Sequence, residues 1–306
     1  MPAESLRAAP PQPVSTMPTR RQPVREPIVE QLAIAVSVER AWQALTHPRT
    51  IGDIVLGHVE MDCRPGRPFV WHWGVWEKSA PRKVDGCWRG TVLDVVPGAV
   101  LVLGGTGQPT VTLTIKGQGT ACLVTVVQGP GPAGADLESS RYRWADFLLK
   151  LKTLLEPPAL FDALYLRTLV RAAPGDILKA FLSGATLGKL LPGRARVQAR
   201  PQGRFEWQWK DSAARAAGTL LEFEKNHRLA LAWEATAPVS EVRIEATRAP
   251  YGTIVSLAHL NLGHGNLSVA ASSPARDREG YRRLWARLLE RLRCYFFYGR
   301  KIRTAY

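Results

Sequence analysis

The sequence predicts an α+β protein made of two tandem copies of one domain, each a curved antiparallel sheet wrapped around a long C-terminal helix. The first observation is a repeated motif: Arg64-Pro65 followed by Phe69, Trp71 and Trp73 recurs 136 residues later, beginning at Arg200-Pro201. Solenoid repeats are only about 20–50 residues long, so an offset of this size indicates a duplicated domain. The second observation is that each motif is followed by alternating strand patterns and one amphipathic helical segment.

The first copy begins with a strand pattern at 28–36, where Leu32 and Ile34 alternate with alanines. Ser37 is a plausible N-cap for a helix that ends at His47-Pro48, where a second short helix begins. Alternating side chains then predict a run of antiparallel strands, and a closing helix has Trp144 and Leu148 on one face. The predicted strands are 69–73, 88–96, 99–103, 111–115 and 121–127, and the closing helix is 139–156.

The second copy repeats this order. One of its strands is predicted to bury Thr219, Leu221 and Phe223, because these residues alternate with glutamates. Trp285 begins the apolar face of its last helix as Trp144 does in the first copy. The closing helix is the element expected to cover the apolar side of each sheet. The predicted elements are strands at 164–170, 205–209, 219–223, 229–233, 242–246 and 254–262, and a helix at 275–297.

Composition divides the chain into three parts. Residues 1–26 contain six prolines and few apolar side chains, so we expect a disordered tail. Pro157-Pro158 marks the joint between the first domain, 27–158, and the second, 159–306. The net charge of +15 is uneven, because residues 160–306 carry 24 basic and 12 acidic side chains. This excess could mark a surface for an acidic protein partner, or it could be ordinary surface arginine.

Several classes of protein are disfavoured. No apolar run approaches the roughly 20 residues of a membrane span, and no apolar signal core opens the chain, so we expect a cytoplasmic protein without a membrane span. The four cysteines are far apart, which indicates reduced thiols. The arginines are not interleaved with aromatic side chains, so no specific nucleic-acid binding is expected. No histidine pair has metal-ligand spacing, and we expect neither a metal nor another cofactor.

The order of elements, together with short motifs, resembles the helix-grip fold of the START-like (SRPBCC) superfamily. The segment 41–48, which ends Leu-Thr-His-Pro, is similar to the first-helix signature of that superfamily. Gly252-Thr253 followed by His259 resembles its late strand, and Trp144 and Trp285 resemble the start of its closing helix. The most similar branch is that of the heat-shock-protein ATPase activator homologues, here in tandem. In the first copy the residues nearest to a counterpart of His259 are Val126 and Gln128.

The resemblance implies a cavity between the sheet and the long helix, which in different relatives binds apolar molecules. Aromatic walls with few polar groups suit such a site, although the same rings could simply fill the core. His259 could orient a ligand or act as an acid–base group, or it could be a strand-end histidine bonded to backbone. The predicted ligand-binding residues are Trp71, Trp73, Trp207, Trp209, Phe223, Trp233, His259 and Trp285, and no catalytic residue is assigned.

Three functions remain open at this stage. The first is non-catalytic binding of an apolar small molecule in a sheet–helix cavity. The second is a co-chaperone-like interaction module that stimulates a chaperone ATPase, with the basic second domain meeting an acidic partner. The third is a polyketide cyclase-like enzyme, for which His259 is the one candidate group. The sequence favours the first and disfavours the third.

Overall fold

The computed structural model of the protein describes ten stretches of the chain. The described stretches do not include residues 1–25 of the predicted tail, Trp73 or the Pro157-Pro158 joint. The predicted domain limits therefore stay a prediction. The described residues are 26–55, 57–72, 87–105, 107–130, 137–156, 163–191, 193–209, 215–236, 239–262 and 274–297.

In the first half, the described residues form seven strands and three helices. Ser37 caps α1 as predicted, because its hydroxyl accepts a hydrogen bond from the backbone N–H of Arg40. The elements are β1 Ile28–Ile34, α1 Val38–Thr46, α2 Pro48–Val55, β2 His58–Met61, β3 Pro68–His72, β4 Cys87–Val96, β5 Val100–Gly104, β6 Val111–Gln118, β7 Ala121–Gln128 and α3 Leu137–Leu155.

The second half repeats these elements in the same order. Its first helix begins with Pro174, whose fixed φ and missing N–H suit a helix N-terminus. The elements are β8 Leu164–Val170, α4 Pro174–Leu182, α5 Gly184–Leu190, β9 Gly193–Val197, β10 Arg204–Trp209, β11 Arg215–Glu224, β12 Arg228–Trp233, β13 Ser240–Ala249, β14 Gly252–Leu260 and α6 Pro274–Phe297.

The two sheets have the same topology. The strand orders are β1-β7-β6-β5-β4-β3-β2 and β8-β14-β13-β12-β11-β10-β9, and the described pairs are antiparallel. The long helix of each half packs on the apolar face of its own sheet: Phe147 stacks on Trp71 at 5.9 Å, and Trp285 lies edge-on to Trp207 at 6.1 Å. The predicted fold, two tandem helix-grip domains of the α+β class, is confirmed.

The predicted inward face of β11 is wrong. The strand buries Ala216 and Leu220, whereas Leu221 and Phe223 are 41% and 38% exposed. The pairing of β11 with β12 shifts register between Leu220 and Glu222, which marks a bulge. One extra residue at a bulge breaks the simple alternation of faces, so a pattern extended across it assigns side chains to the wrong side.

The two halves share a polar interface. Helix α3 of the first half packs against β8 of the second as well as against its own β1. The buried carboxylate of Asp146 accepts hydrogen bonds from the backbone N–H of Leu169, at 2.8 Å, and from the hydroxyl of Thr168, at 3.1 Å. Tyr142 donates its hydroxyl to the carbonyl oxygen of Leu169 at 2.5 Å. These bonds satisfy polar groups of β8 through a helix of the other half.

Candidate functional site

The apolar side of the second sheet carries a cluster of aromatic rings beneath α6. Trp207, Trp233, Trp285 and His259 are each at most 2% exposed. Ring centroids of Trp233 lie 5.4 Å from Trp207 and 5.0 Å from Trp285. The ring of His259 makes T-shaped contacts with Trp233 at 5.8 Å and with Tyr281 at 5.0 Å. Four of the predicted ligand-binding residues are therefore brought together, and their rings contact one another.

The first half has a matching cluster in which the third ring comes from a different strand. Trp88 on β4 lies 5.3 Å from Trp71 and 6.2 Å from Trp144. In the second half Ala216 occupies the position opposite Trp207 that Trp88 occupies opposite Trp71. Trp233 of β12 supplies the ring there instead. Both clusters therefore contain a third tryptophan, but it comes from β4 in the first half and from β12 in the second.

Hydrogen bonding fixes the tautomer of His259. An indole N–H can only donate, so the Nδ1 atom of His259, 3.1 Å from Nε1 of Trp285, must accept. In the neutral imidazole the proton is then on Nε2, which donates to the hydroxyl oxygen of Ser240 at 2.7 Å. The chain of bonds continues from Ser240 to the hydroxyl of Thr236 at 2.6 Å, and from Thr236 to the carbonyl oxygen of Trp233 at 3.2 Å.

This arrangement decides what His259 can do chemically. Burial lowers the pKa of His259 to about 3, so the ring is neutral at pH 7. Its one basic nitrogen is already used by Trp285, and its proton is directed at Ser240. A general base needs a free acceptor within reach of the substrate. His259 is held as a neutral link between strand and helix, and it cannot take the Ser240 proton without losing the Trp285 bond.

Gln128 is the counterpart of His259 in the first half. Its side-chain oxygen accepts from Nε1 of Trp144 at 2.7 Å, as His259 accepts from Trp285. The register agrees, because Gln128 pairs with Val111 at the start of β6 and His259 pairs with Val242 near the start of β13. Sequence reasoning left this position open between Val126 and Gln128. The alternation of β7 could have identified Gln128, because it is the polar side chain that falls on the buried face of this strand.

Two buried donors of the second cluster have no acceptor among the described residues. They are the indole N–H groups of Trp207 and Trp233. A buried N–H that has lost water and gained no partner costs about 1–3 kcal/mol. Native structures keep few such groups, and each needs an explanation. An acceptor atom from a bound molecule would remove this cost.

The remaining predicted residues are placed differently. Trp209 ends β10, and its side chain lies outside the described residues, as does the whole of Trp73. The predicted placement of Phe223 in a cavity wall is wrong, because this residue is 38% exposed and lies on the outer side of β11 beyond the bulge. In the described part of the chain, no group of three His, Cys, Asp or Glu side chains could hold a metal ion. None of the described helices is long and apolar enough to cross a membrane.

A scan of family models gives one family twice. The model described as Activator of Hsp90 ATPase homolog 1-like protein matches residues 35–156 and again residues 171–296. Each match begins one residue after the first strand of its half, β1 or β8, and covers the other six strands and the helices into the closing helix. No curated protein sequence matches the chain.

Some solved structures match most of this chain, and others match about half of it. DynU16, a putative protein in the dynemicin biosynthetic locus, is 19% identical; the match covers 88% of this chain and 98% of that one, with a TM-score of 0.38. The di-domain ARO/CYC StfQ from the steffimycin pathway is 12% identical over 89% and 98% of the two chains, with a TM-score of 0.36. Aha1 from Colwellia psychrerythraea, solved as a dimer, is 17% identical over 44% of this chain and 99% of that one, with a TM-score of 0.38.

Proposed function

The chain belongs to the family of Activator of Hsp90 ATPase homolog 1-like proteins, in tandem, and on that basis we propose that it binds an apolar small molecule without transforming it. The site is the aromatic cluster of the second half, between the sheet and α6. We place this activity in the cytoplasm, in keeping with the separated, free cysteines.

One observation supports this site above the others: Trp207 and Trp233, whose ring centroids lie 5.4 Å apart, both have buried indole N–H groups with no acceptor among the described residues. The surrounding rings would provide an apolar wall, and the two N–H groups would orient one or two acceptor oxygens. The ligand class is therefore a mainly apolar molecule with carbonyl, ether or hydroxyl oxygen. His259 supports binding rather than catalysis, because both of its nitrogens are already engaged.

The test removes the two N–H groups and keeps the rings. Native mass spectrometry of the full chain purified from its own host should show a retained small molecule. In the Trp207→Phe/Trp233→Phe double variant we expect retention to fall on the order of tenfold, since each lost hydrogen bond is worth about 0.5–1.5 kcal/mol. Trp88→Phe is the matched control in the first half and should retain the wild-type mass. A wild-type protein with no bound mass, or a double variant that keeps it, would contradict the proposal.

A second candidate is a protein-interaction module that stimulates a chaperone ATPase. The packing of the aromatic rings against one another favours it, because a core filled by its own side chains leaves little room for a ligand. Arg283 and Arg287 lie exposed on α6 in the basic half and could meet an acidic surface.

This candidate predicts that the full chain raises the ATPase rate of a purified Hsp90-class chaperone at low salt. Arg283→Glu/Arg287→Glu should abolish the stimulation through charge repulsion, whereas Arg49→Glu, which changes an exposed arginine on α2, should leave it unchanged. Equal stimulation by wild type and the double variant would rule out this surface.

A further inference from the structure

A cavity of about 290 Å³ lies at the junction of the two halves, and no residue of either aromatic cluster lines it. Its walls come from α2 and α3 of the first half and from β8 and α6 of the second. Neither half could form it alone. The volume is near the lower end of the roughly 300–1,000 Å³ range of small-molecule sites.

The cavity has an apolar interior. Aliphatic side chains line it from all four elements, and they would accept a hydrocarbon body by ordinary burial of apolar surface. These residues are Ile54, Leu154, Leu164, Leu166, Ala286 and Leu289.

The charged groups of the cavity are predominantly cationic, and two of the four cations are already neutralised. Lys150 contacts Asp146 at 2.8 Å and Glu290 at 3.3 Å. Arg282 contacts Asp53, the acidic residue of the lining, at 2.7 Å, and also Glu279 at 3.2 Å. These pairs need no further anion.

The other two cations, Arg167 and Arg278, are held by neutral partners. Arg167 donates its Nε–H to the hydroxyl of Tyr165 at 2.6 Å and lies over that ring at 4.8 Å. Arg278 donates from Nη2 to the carbonyl oxygen of Ala163 at 2.7 Å. Within the described ranges neither guanidinium has a carboxylate within 4 Å. Each therefore is held in position while further N–H groups stay available for an anion.

We propose that this junction is a second ligand site, which binds an organic carboxylate with an apolar chain. The guanidinium groups of Arg167 and Arg278 bind the carboxylate, for which their fork of N–H donors is suited. The aliphatic walls take the chain. An inorganic anion would leave those walls unused, and an uncharged lipid would form no ion pair with the two arginines. This site is independent of the one proposed between the second sheet and α6.

Isothermal titration of the full chain tests the proposal, with decanoate as the probe and 1-decanol as its uncharged counterpart. We expect wild type to bind decanoate with 1:1 stoichiometry and at least tenfold more tightly than decanol. Arg167→Gln/Arg278→Gln should weaken decanoate binding at least tenfold. Arg287→Gln, an exposed change on α6 that is not part of the cavity lining, should leave it unchanged.

Two further variants locate the site. Ala286→Phe fills the cavity and should abolish binding of decanoate. Trp207→Phe/Trp233→Phe should leave it intact, because those rings belong to the other cluster. No binding to wild type, equal affinity for decanol, or full affinity in the double arginine variant with an unchanged melting temperature would overturn the proposal.

Discussion

The residue that accepts a hydrogen bond from the tryptophan of the closing helix differs between the two halves. Trp144 donates to Gln128 and Trp285 donates to His259, so an amide and an imidazole perform one structural task. The task is to satisfy a buried indole N–H where the last strand meets the long helix. Only the imidazole adds a titratable group to the core.

This equivalence predicts that His259→Gln is tolerated and His259→Leu is not. Glutamine can accept from Trp285 and donate to Ser240, whereas leucine leaves both groups buried without a partner. We expect His259→Leu to lower the free energy of unfolding by about 1–3 kcal/mol relative to His259→Gln. Urea denaturation of the two variants measures this difference. Equal stability would mean that the hydrogen bonds to His259 contribute nothing.

The same residue predicts a pH dependence. The pKa of His259 is lowered to about 3 in the folded protein, against about 6.5 when unfolded. Unfolding therefore takes up a proton between these values, so stability is fully present above about pH 6.5 and is lost as pH falls toward 3. His259→Gln should flatten this part of the profile relative to wild type. Parallel profiles for wild type and variant would show that the imidazole is not buried as described.

At the scale of elements, the strand that comes fourth along the chain in each half, β4 or β11, contains a bulge. The register shifts between Val92 and Asp94 in β4 and between Leu220 and Glu222 in β11. Two residues before each shift stands a glycine, Gly90 or Gly218. A Cβ at Gly218 would lie 1.8 Å from the carbonyl oxygen of Ala232, so only glycine permits the close approach of β11 and β12.

Gly218→Ala should therefore cost about 1–3 kcal/mol of stability or more, since backbone rather than a movable side chain must shift. Gly280→Ala is the control: its added Cβ meets nothing within 4 Å, and alanine in a helix is better than glycine by roughly 0.5–1 kcal/mol. Thermal melts of the two variants should move in opposite directions. A melting temperature for Gly218→Ala at or above that of wild type would contradict this account.

The sequence predicted the order of elements and the closing helices because long periodic patterns report burial directly. It could not predict which face of β11 is buried beyond Leu220, because a bulge depends on pairing with β12. It also missed β2 and β9, which are only four and five residues long. The hydrogen-bond partners of His259 could not be predicted from the sequence, because tertiary structure brings Ser240 and Trp285 to it.

At the scale of the whole molecule, buried charge joins the halves. Glu290 of α6 is 2% exposed and contacts Arg293 of its own helix and Lys150 of α3. Burial alone would raise the pKa of Glu290, but the two cations and their hydrogen bonds outweigh it and lower the pKa to about 2. The carboxylate is therefore charged, paired and shared across the interface.

Glu290→Gln should destabilise the protein by about 3–5 kcal/mol, because it leaves the largely buried Arg293 without its anion and leaves Lys150 with Asp146 alone. Glu279→Gln, at a more exposed ion pair on the same helix, should cost less than about 1 kcal/mol. Since the folded-state pKa of Glu290 is depressed, its contribution is present above about pH 4.5 and is lost as pH falls toward 2. Denaturation at pH 7 and pH 3 should show the gap between wild type and Glu290→Gln narrowing. A gap that stays constant would exclude this titration.

The carboxylate of Asp146 also makes the two closing helices unequal. It stands two residues after Trp144 and satisfies the backbone of β8, but the residue two after Trp285 is Arg287, which has no carboxylate to offer. A cation repels an N–H donor, so α6 could not take the place of α3 against β8. The two copies are therefore not interchangeable, and exchanging their order along the chain would not rebuild this interface.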